Sequence, residues 1–286
     1  MSAVTARVPK PLLYLPGGTL LEHQLALLAS LPISHTFVVV YYSREKVEEA
    51  LEGHPRITVV GQKPPYTLMG AIASAEAQVR EPFLVLHGDN YFSHRLDYLP
   101  AEAVPSDFQP DATFLVDPEA RQGDQVRRLA STGCYLLSPQ VMPIVKRLAD
   151  GDALSDLTGA LLRSPARIRE VPLRGWRTNV NRLEDLLQAI SRILDQWSAS
   201  FHSPAAAQGY NRTEGCLEAK LPLWISTESE VVDCCLGPNV VVGPRARVRD
   251  CTLRDMIVFP GAEIVGRRLE RGLVLPGEMG SEVLTP

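Results

Sequence analysis

The chain has 286 residues, 45% hydrophobic and 22% charged, enough for a substantial core in one large domain or two unequal ones. Its net charge of −4 gives no electrostatic basis for binding nucleic acid or an anionic membrane, and no apolar run reaches the roughly 20 residues that span a bilayer. Five cysteines, with no C-x-x-C pair, and a start (MSAVTARVPK) lacking an apolar signal core point to reduced thiols in the cytoplasm.

The first strong element is TLLEHQLALLASL (19–31). Thr19 followed by Glu22 is a capping box, and Leu21, Leu25 and Leu28 share a helical face. TFVVVYY (36–42) reads as a buried strand, and SREKVEEALEG (43–53) as a short helix capped by Ser43, with Val47 and Leu51 inward. ITVVG (57–61) is a second strand. TLMGAIASAEAQVR (67–80) is a helix with Leu68, Ile72, Ala75 and Val79 on one face, and FLVLH (83–87) a third strand. Strands without polar alternation, separated by helices, predict an α/β domain: a mostly parallel sheet with helices on both faces.

Further strands are expected at ATFLVD (112–117) and GCYLLS (133–138), with helical pieces in SPQVMPIVKRLAD and SDLTGALLR. A strong helix follows at 182–197, with Leu183, Leu187, Ile190, Leu194 and Trp197 on one stripe. The small, polar segment 201–214 reads as a linker after an α/β domain of residues 1–200. From 215 to 286 no helical period is visible. Aliphatics recur six apart beside Gly or Pro: Leu236, Val242 and Val248, then after a slip Val258 and Ile264. This hexapeptide repeat predicts a short left-handed parallel β-helix, with a small antiparallel β domain as the alternative.

The residues most suggestive of chemistry are Gly88, Asp89 and Asn90, at the end of FLVLH. In an open parallel sheet, ligands bind beyond the carboxyl ends of the strands. A carboxylate there can hold Mg2+, and Gly88 permits close approach. The plainer alternative is an Asp that caps its own turn.

The order PKPLLYLPGGTLLEH, TLMGAI, FLVLHGDN, STGCYLLSP and GWRTNVNRLEDLLQAI resembles the sugar-phosphate nucleotidyltransferases. The family joins a Rossmann-like domain to a left-handed β-helix in many members, which agrees with the hexapeptide tail. The resemblance implies transfer from a nucleoside triphosphate to a sugar 1-phosphate, giving a nucleotide sugar and pyrophosphate with Mg2+ as cofactor. It implies that Lys10 contacts phosphate, that Asp89 is catalytic and ligates the metal, and that Gly88, Asn90 and Gly133 lie against substrate. Asn179 takes the place of the second metal ligand, although Asn181-Arg182-Leu183 leaves Asn181 open for that role. Self-association, or pairing with an active paralogue, is expected, and no nucleic-acid or membrane partner.

The chain departs from the family pattern in two places. Family enzymes carry a strand and a G-G-x-G-T-R loop before the Pro-Lys-Pro segment, whereas this sequence opens MSAVTARVPKPLL. Residues 111–132 contain no lysine where the family has one, and Arg127 or Arg128 is the substitute cation expected, with a different geometry. Two explanations are open: a coding sequence that begins upstream of Met1, or a non-catalytic regulatory homologue that binds a sugar phosphate or an active subunit.

Overall fold

The computed structural model describes residues 4, 7–103, 109–118, 131–149, 157–200, 213–277 and 280–285. Arg127, Arg128 and most of the expected linker lie outside the described residues. The elements begin with β1 (Tyr14–Leu15), β2 (Gly18–Thr19), α1 (Leu20–Leu28), β3 (Thr36–Val40), α2 (Arg44–Ala50), β4 (Ile57–Gly61) and α3 (Leu68–Ser74). Next come β5 (Phe83–Leu86), β6 (Asn90–Phe92), α4 (Leu99–Ala103), β7 (Ala112–Val116) and β8 (Ser131–Leu137). They are followed by α5 (Met142–Ala149), α6 (Leu157–Leu162), β9 (Ile168–Pro172), β10 (Arg177–Asn179) and α7 (Leu183–Ser200). The chain forms two compact units: Gln24–Arg177, and Met1–His23 with Thr178–Pro286.

In the Gln24–Arg177 unit, β3 and β4 pair in parallel, with Val38 opposite Val59. A four-stranded sheet has the order β5-β8-β7-β9. Its β7–β9 pair is parallel, but β8 runs antiparallel to both neighbours, so this sheet is mixed. Apolar periodicity reports burial and not strand direction, which is why β8 could not be told from its neighbours in the sequence. Successive residues alternate between two cores. Phe114 and Tyr135 join Met69, Ile72, Val145 and Leu161, whereas Leu115 and Cys134 join Leu27, Leu96 and Val171. Both faces of the sheet are therefore covered, as unalternating apolar strands require.

Three local expectations need correction. The capping box of α1 forms: Glu22 N donates to Thr19 Oγ1 at 3.2 Å, and Thr19 N donates to the Glu22 carboxylate at 2.6 Å. The helix is turned from the expected face, however: Leu20, Leu21, Gln24 and Leu27 are buried, while Leu25 and Leu28 are half-buried. Leucines flank the helix on several sides, so neighbouring elements choose the face. Ser43 does not cap α2. Its backbone is left-handed (φ 51°), not the extended form that aims a hydroxyl at the first free amides, and its side chain makes no capping bond. The helix expected over 67–80 stops at Ser74 and continues only as a 3-10 turn at Glu76–Gln78, leaving Leu68 exposed.

In the other unit, β1 and β2 form a hairpin with Tyr14 opposite Thr19, and α7 buries Leu186, Ile190 and Ile193. The C-terminal strands are β11 (Thr213–Ala219), β12 (Leu223–Ile225), β13 (Glu230–Leu236), β14 (Val240–Val242) and β15 (Arg247–Arg249). They continue with β16 (Thr252–Val258), β17 (Glu263–Val265), β18 (Arg268–Leu275) and β19 (Glu282–Leu284). Every pairing from β11 to β18 is parallel and joins residues 16–18 apart, such as Thr213 with Val231, Leu223 with Val240 and Val241 with Ile257. Only the last pair, β18–β19, is antiparallel.

That register stacks the aliphatics in three ladders: Ile225–Val242–Val258–Val274, Val231–Val248–Ile264, and Leu236–Leu253–Leu269. All of them join one core cluster, with Leu269 at its margin. The slip in the six-residue period is now explained: five-residue steps, as from Val248 to Leu253 and from Leu253 to Val258, are mixed with six-residue ones. Corners recur at the same interval. Asn239, Asp255 and Arg271 are all left-handed (φ 57°, 49° and 55°), as are Asp233 and Asp250 (φ 51° and 53°). Asn and Asp tolerate this conformation better than most side chains. The Asn239 amide donates to the Asp255 carboxylate one layer on, at 2.8 Å.

Candidate functional site

Within the Gln24–Arg177 unit, β5 delivers His87-Gly88-Asp89-Asn90 as a tight turn into β6. The turn closes with Asn90 N donating to His87 O at 3.3 Å, and His87 N donates across to Gly133 O at 2.9 Å. Gly88 is exposed, Asp89 half-buried, and Asn90 buried at 1% exposure. Asn90 Oδ1 accepts from Arg177 Nη1 at 3.2 Å. The segment bearing Arg177 is tied to the strand after the turn. Ser93 N donates to Trp176 O at 2.9 Å, Trp176 N donates to Ser93 Oγ at 2.8 Å, and the Trp176 and Tyr91 ring centroids lie 5.4 Å apart.

Gly133 occupies a left-handed position (φ +78°) on β8. A Cβ there would lie 2.6 Å from Asn90 Nδ2 and 2.8 Å from the His87 ring. The absent side chain is thus already used by the protein's own groups. Burial holds the His87 imidazole below its ordinary pKa; the nearby Asp89 charge opposes this and Arg177 reinforces it. His87 Nε2 and Arg177 Nε are both buried without a hydrogen-bond partner among the described residues. Burial pushes the neighbouring Cys134 thiol up to about 12, so it stays protonated and behaves as a small hydrophobe.

In the other unit, Lys10 begins a 3-10 turn after Pro9, and its Nζ donates to Asn181 Oδ1 at 2.6 Å. The Asp185 carboxylate fixes the backbone there, accepting from Asn181 N at 3.1 Å and Arg182 N at 2.8 Å at the start of α7. Asn179 Oδ1 is buried and has no hydrogen-bond partner among the described residues. An orphaned amide oxygen of this kind suits a hard cation. Among the described residues no cluster of three or more His, Cys, Asp or Glu could hold a metal.

Each unit therefore assembles part of the expected set: Gly88, Asp89, Asn90 and Gly133 in one, Lys10 and Asn179 in the other. Sequence reading missed Gln24, His87 and Arg177. Gln24 left a faint signal, a polar residue among leucines on α1; the other two left none.

The model of the MobA-like NTP transferase domain matches residues 4–164, more than half of the chain. The chain belongs to this family. The chain is 23% identical over 209 residues to the bifunctional protein GlmU of Methanocaldococcus jannaschii, covering 68% of the chain and 51% of that protein. It thus spans about half the length of that relative. It is 25% identical over 224 residues to the UTP–glucose-1-phosphate uridylyltransferase AglF of Haloferax volcanii, covering 68% of the chain and 91% of that protein. Its fold is similar to that of a candidate glucose-1-phosphate thymidylyltransferase from Bacillus anthracis, with TM-score 0.57 and 19% identity over 68% and 89% of the two chains. Among the described residues, no helix is long and apolar enough to cross a membrane.

Proposed function

We propose that this protein is a cytoplasmic sugar-phosphate nucleotidyltransferase that binds a nucleoside triphosphate and a sugar 1-phosphate with Mg2+. The observation that carries the reading is the pinned turn placing Asp89 at the carboxyl end of β5. The partnerless Asn179 Oδ1 supports it, and favours Asn179 over Asn181 as the second metal-side residue, since the Asn181 oxygen is held by Lys10. In this reading a sugar-phosphate oxygen forms the new bond to the α-phosphorus, while the α–β bridging P–O bond breaks and pyrophosphate leaves with its electron pair. Lys10 binds phosphate, Asp89 and Asn179 hold Mg2+, and Gly88, Asn90 and the Gly133 backbone border the sugar. The bound cation supplies neutralisation of the phosphate charge.

A transferase domain over residues 1–200, a linker at 201–214 and a left-handed β-helix over 215–286 belong to the same proposal. The three aliphatic ladders and their 16–18-residue register support the β-helix. We extend the proposal to self-association.

The test is pyrophosphate release, starting with UTP and glucose 1-phosphate because AglF is similar, then across other triphosphates and hexose 1-phosphates. Asp89→Asn should lower turnover on the order of 100- to 1000-fold. No release from any pair, with Mg2+ present, refutes the catalytic reading. A second reading, a regulatory homologue that binds sugar phosphate or pairs with an active subunit, is favoured by the uncharged Asn179. It predicts ligand-raised melting without turnover.

A further inference from the structure

Gln24 sits on α1 among leucines, at 7% exposure. Its Nε2 donates to His87 O at 2.8 Å and to Asn90 O at 2.8 Å. These carbonyls are the first and last of the four-residue turn, and the residues between them are Gly88 and Asp89. A primary amide has two hydrogens, one for each carbonyl. The turn's own closing bond is longer, at 3.3 Å, so the shorter bonds across its mouth come from a helix more than sixty residues earlier in sequence.

We infer that Gln24 is a positioning residue: it clamps the two ends of the His87–Asn90 turn and so fixes the backbone that carries Asp89. The part concerning Asp89 rests on its proposed role as a metal ligand; the clamp itself does not. The chemistry is demanding. An apolar side chain of the same length leaves two carbonyls short of a donor. A glutamate sets oxygen against oxygen. Asparagine keeps the donors but is one methylene short.

The test uses the full chain with Gln24→Met and Gln24→Glu, and Gln24→Asn should either fail to fold. Amide hydrogen exchange is read on peptides spanning 84–93 and 112–116 without metal, and Mn2+ affinity is read by electron paramagnetic resonance with UTP present. Exchange in the turn should rise about tenfold or more, further for Gln24→Glu than for Gln24→Met, while β7 is unchanged. Mn2+ binding should weaken about tenfold. Unchanged exchange in the turn, or an equal rise in turn and β7, overturns the clamp. Faster exchange with unchanged Mn2+ affinity overturns the positioning of Asp89. If the unmodified chain binds no Mn2+, the metal reading of Asp89 has failed, and exchange alone decides the clamp.

Discussion

Replacing Gly133 with alanine isolates what the structure requires at the centre of the candidate site. The backbone at Gly133 is left-handed, which costs a non-glycine residue about 1–2 kcal/mol. The added Cβ would lie 2.6 Å from Asn90 Nδ2 and 2.8 Å from the His87 ring, well inside contact distance. Asn90 is buried and bonded to Arg177, so it has little room to retreat. Overpacking of this kind adds about 1–3 kcal/mol, for a total of about 2–5 kcal/mol. Gly53 is the matched control: its φ is +82°, but nothing lies within 4 Å of its built Cβ, so Gly53→Ala carries the backbone term alone. Trp176 is the one tryptophan of the three that lies in the Gln24–Arg177 unit. Urea unfolding followed by its fluorescence, with Trp197→Phe and Trp224→Phe in the background, therefore reads the right unit. With a slope of about 2 kcal/mol/M, Gly133→Ala should lower the midpoint by about 1–2.5 M, and Gly53→Ala by no more than about 1 M. Equal shifts for the two variants would refute the contact argument. An unchanged midpoint for Gly133→Ala would show that the glycine serves ligand approach only.

Thr19→Ala removes one half of the capping box and should cost about 1 kcal/mol by urea unfolding; adding Glu22→Ala should cost less than the sum, because the two bonds are reciprocal. His23 is held below its ordinary value of 6.5, chiefly by burial and against the Pro16 carbonyl bond and the Glu22 charge. The unfolded chain takes up that proton first, so stability present above pH 6.5 is lost as the pH falls through the folded value. His23→Gln should flatten the fall of melting temperature below that pH, and an unchanged slope would count against a buried neutral imidazole. In the C-terminal ladders, Leu253→Ala should cost about 2–5 kcal/mol, while the outward neighbour Thr252→Ala should stay within about 0.5 kcal/mol. Similar losses at the two positions would mean that the register is wrong.

The sequence by itself determined the elements that depend on neighbours in the chain. The Thr19–Glu22 box, the strands β3 and β4, the buried run of β7, and the inward aliphatics Leu236, Val242, Val248, Val258 and Ile264 follow from local spacing, and local spacing sets local structure; the predicted burial of 36–42 does not hold, since β3 is mostly half-buried and Tyr41 and Tyr42 are exposed. The order of motifs along the chain was enough to indicate the family. Tertiary structure alone decided whatever depends on groups far apart in sequence. The direction of β8, the burial of Gln24 instead of Leu25, the use of Gly133 by His87 and Asn90, and the hold of Lys10 on Asn181 each rest on contacts between distant segments. No period or motif within one segment records what a second segment will place beside it. The acidic turn of FLVLHGDN was legible for that reason, and the glutamine that holds its ends was not.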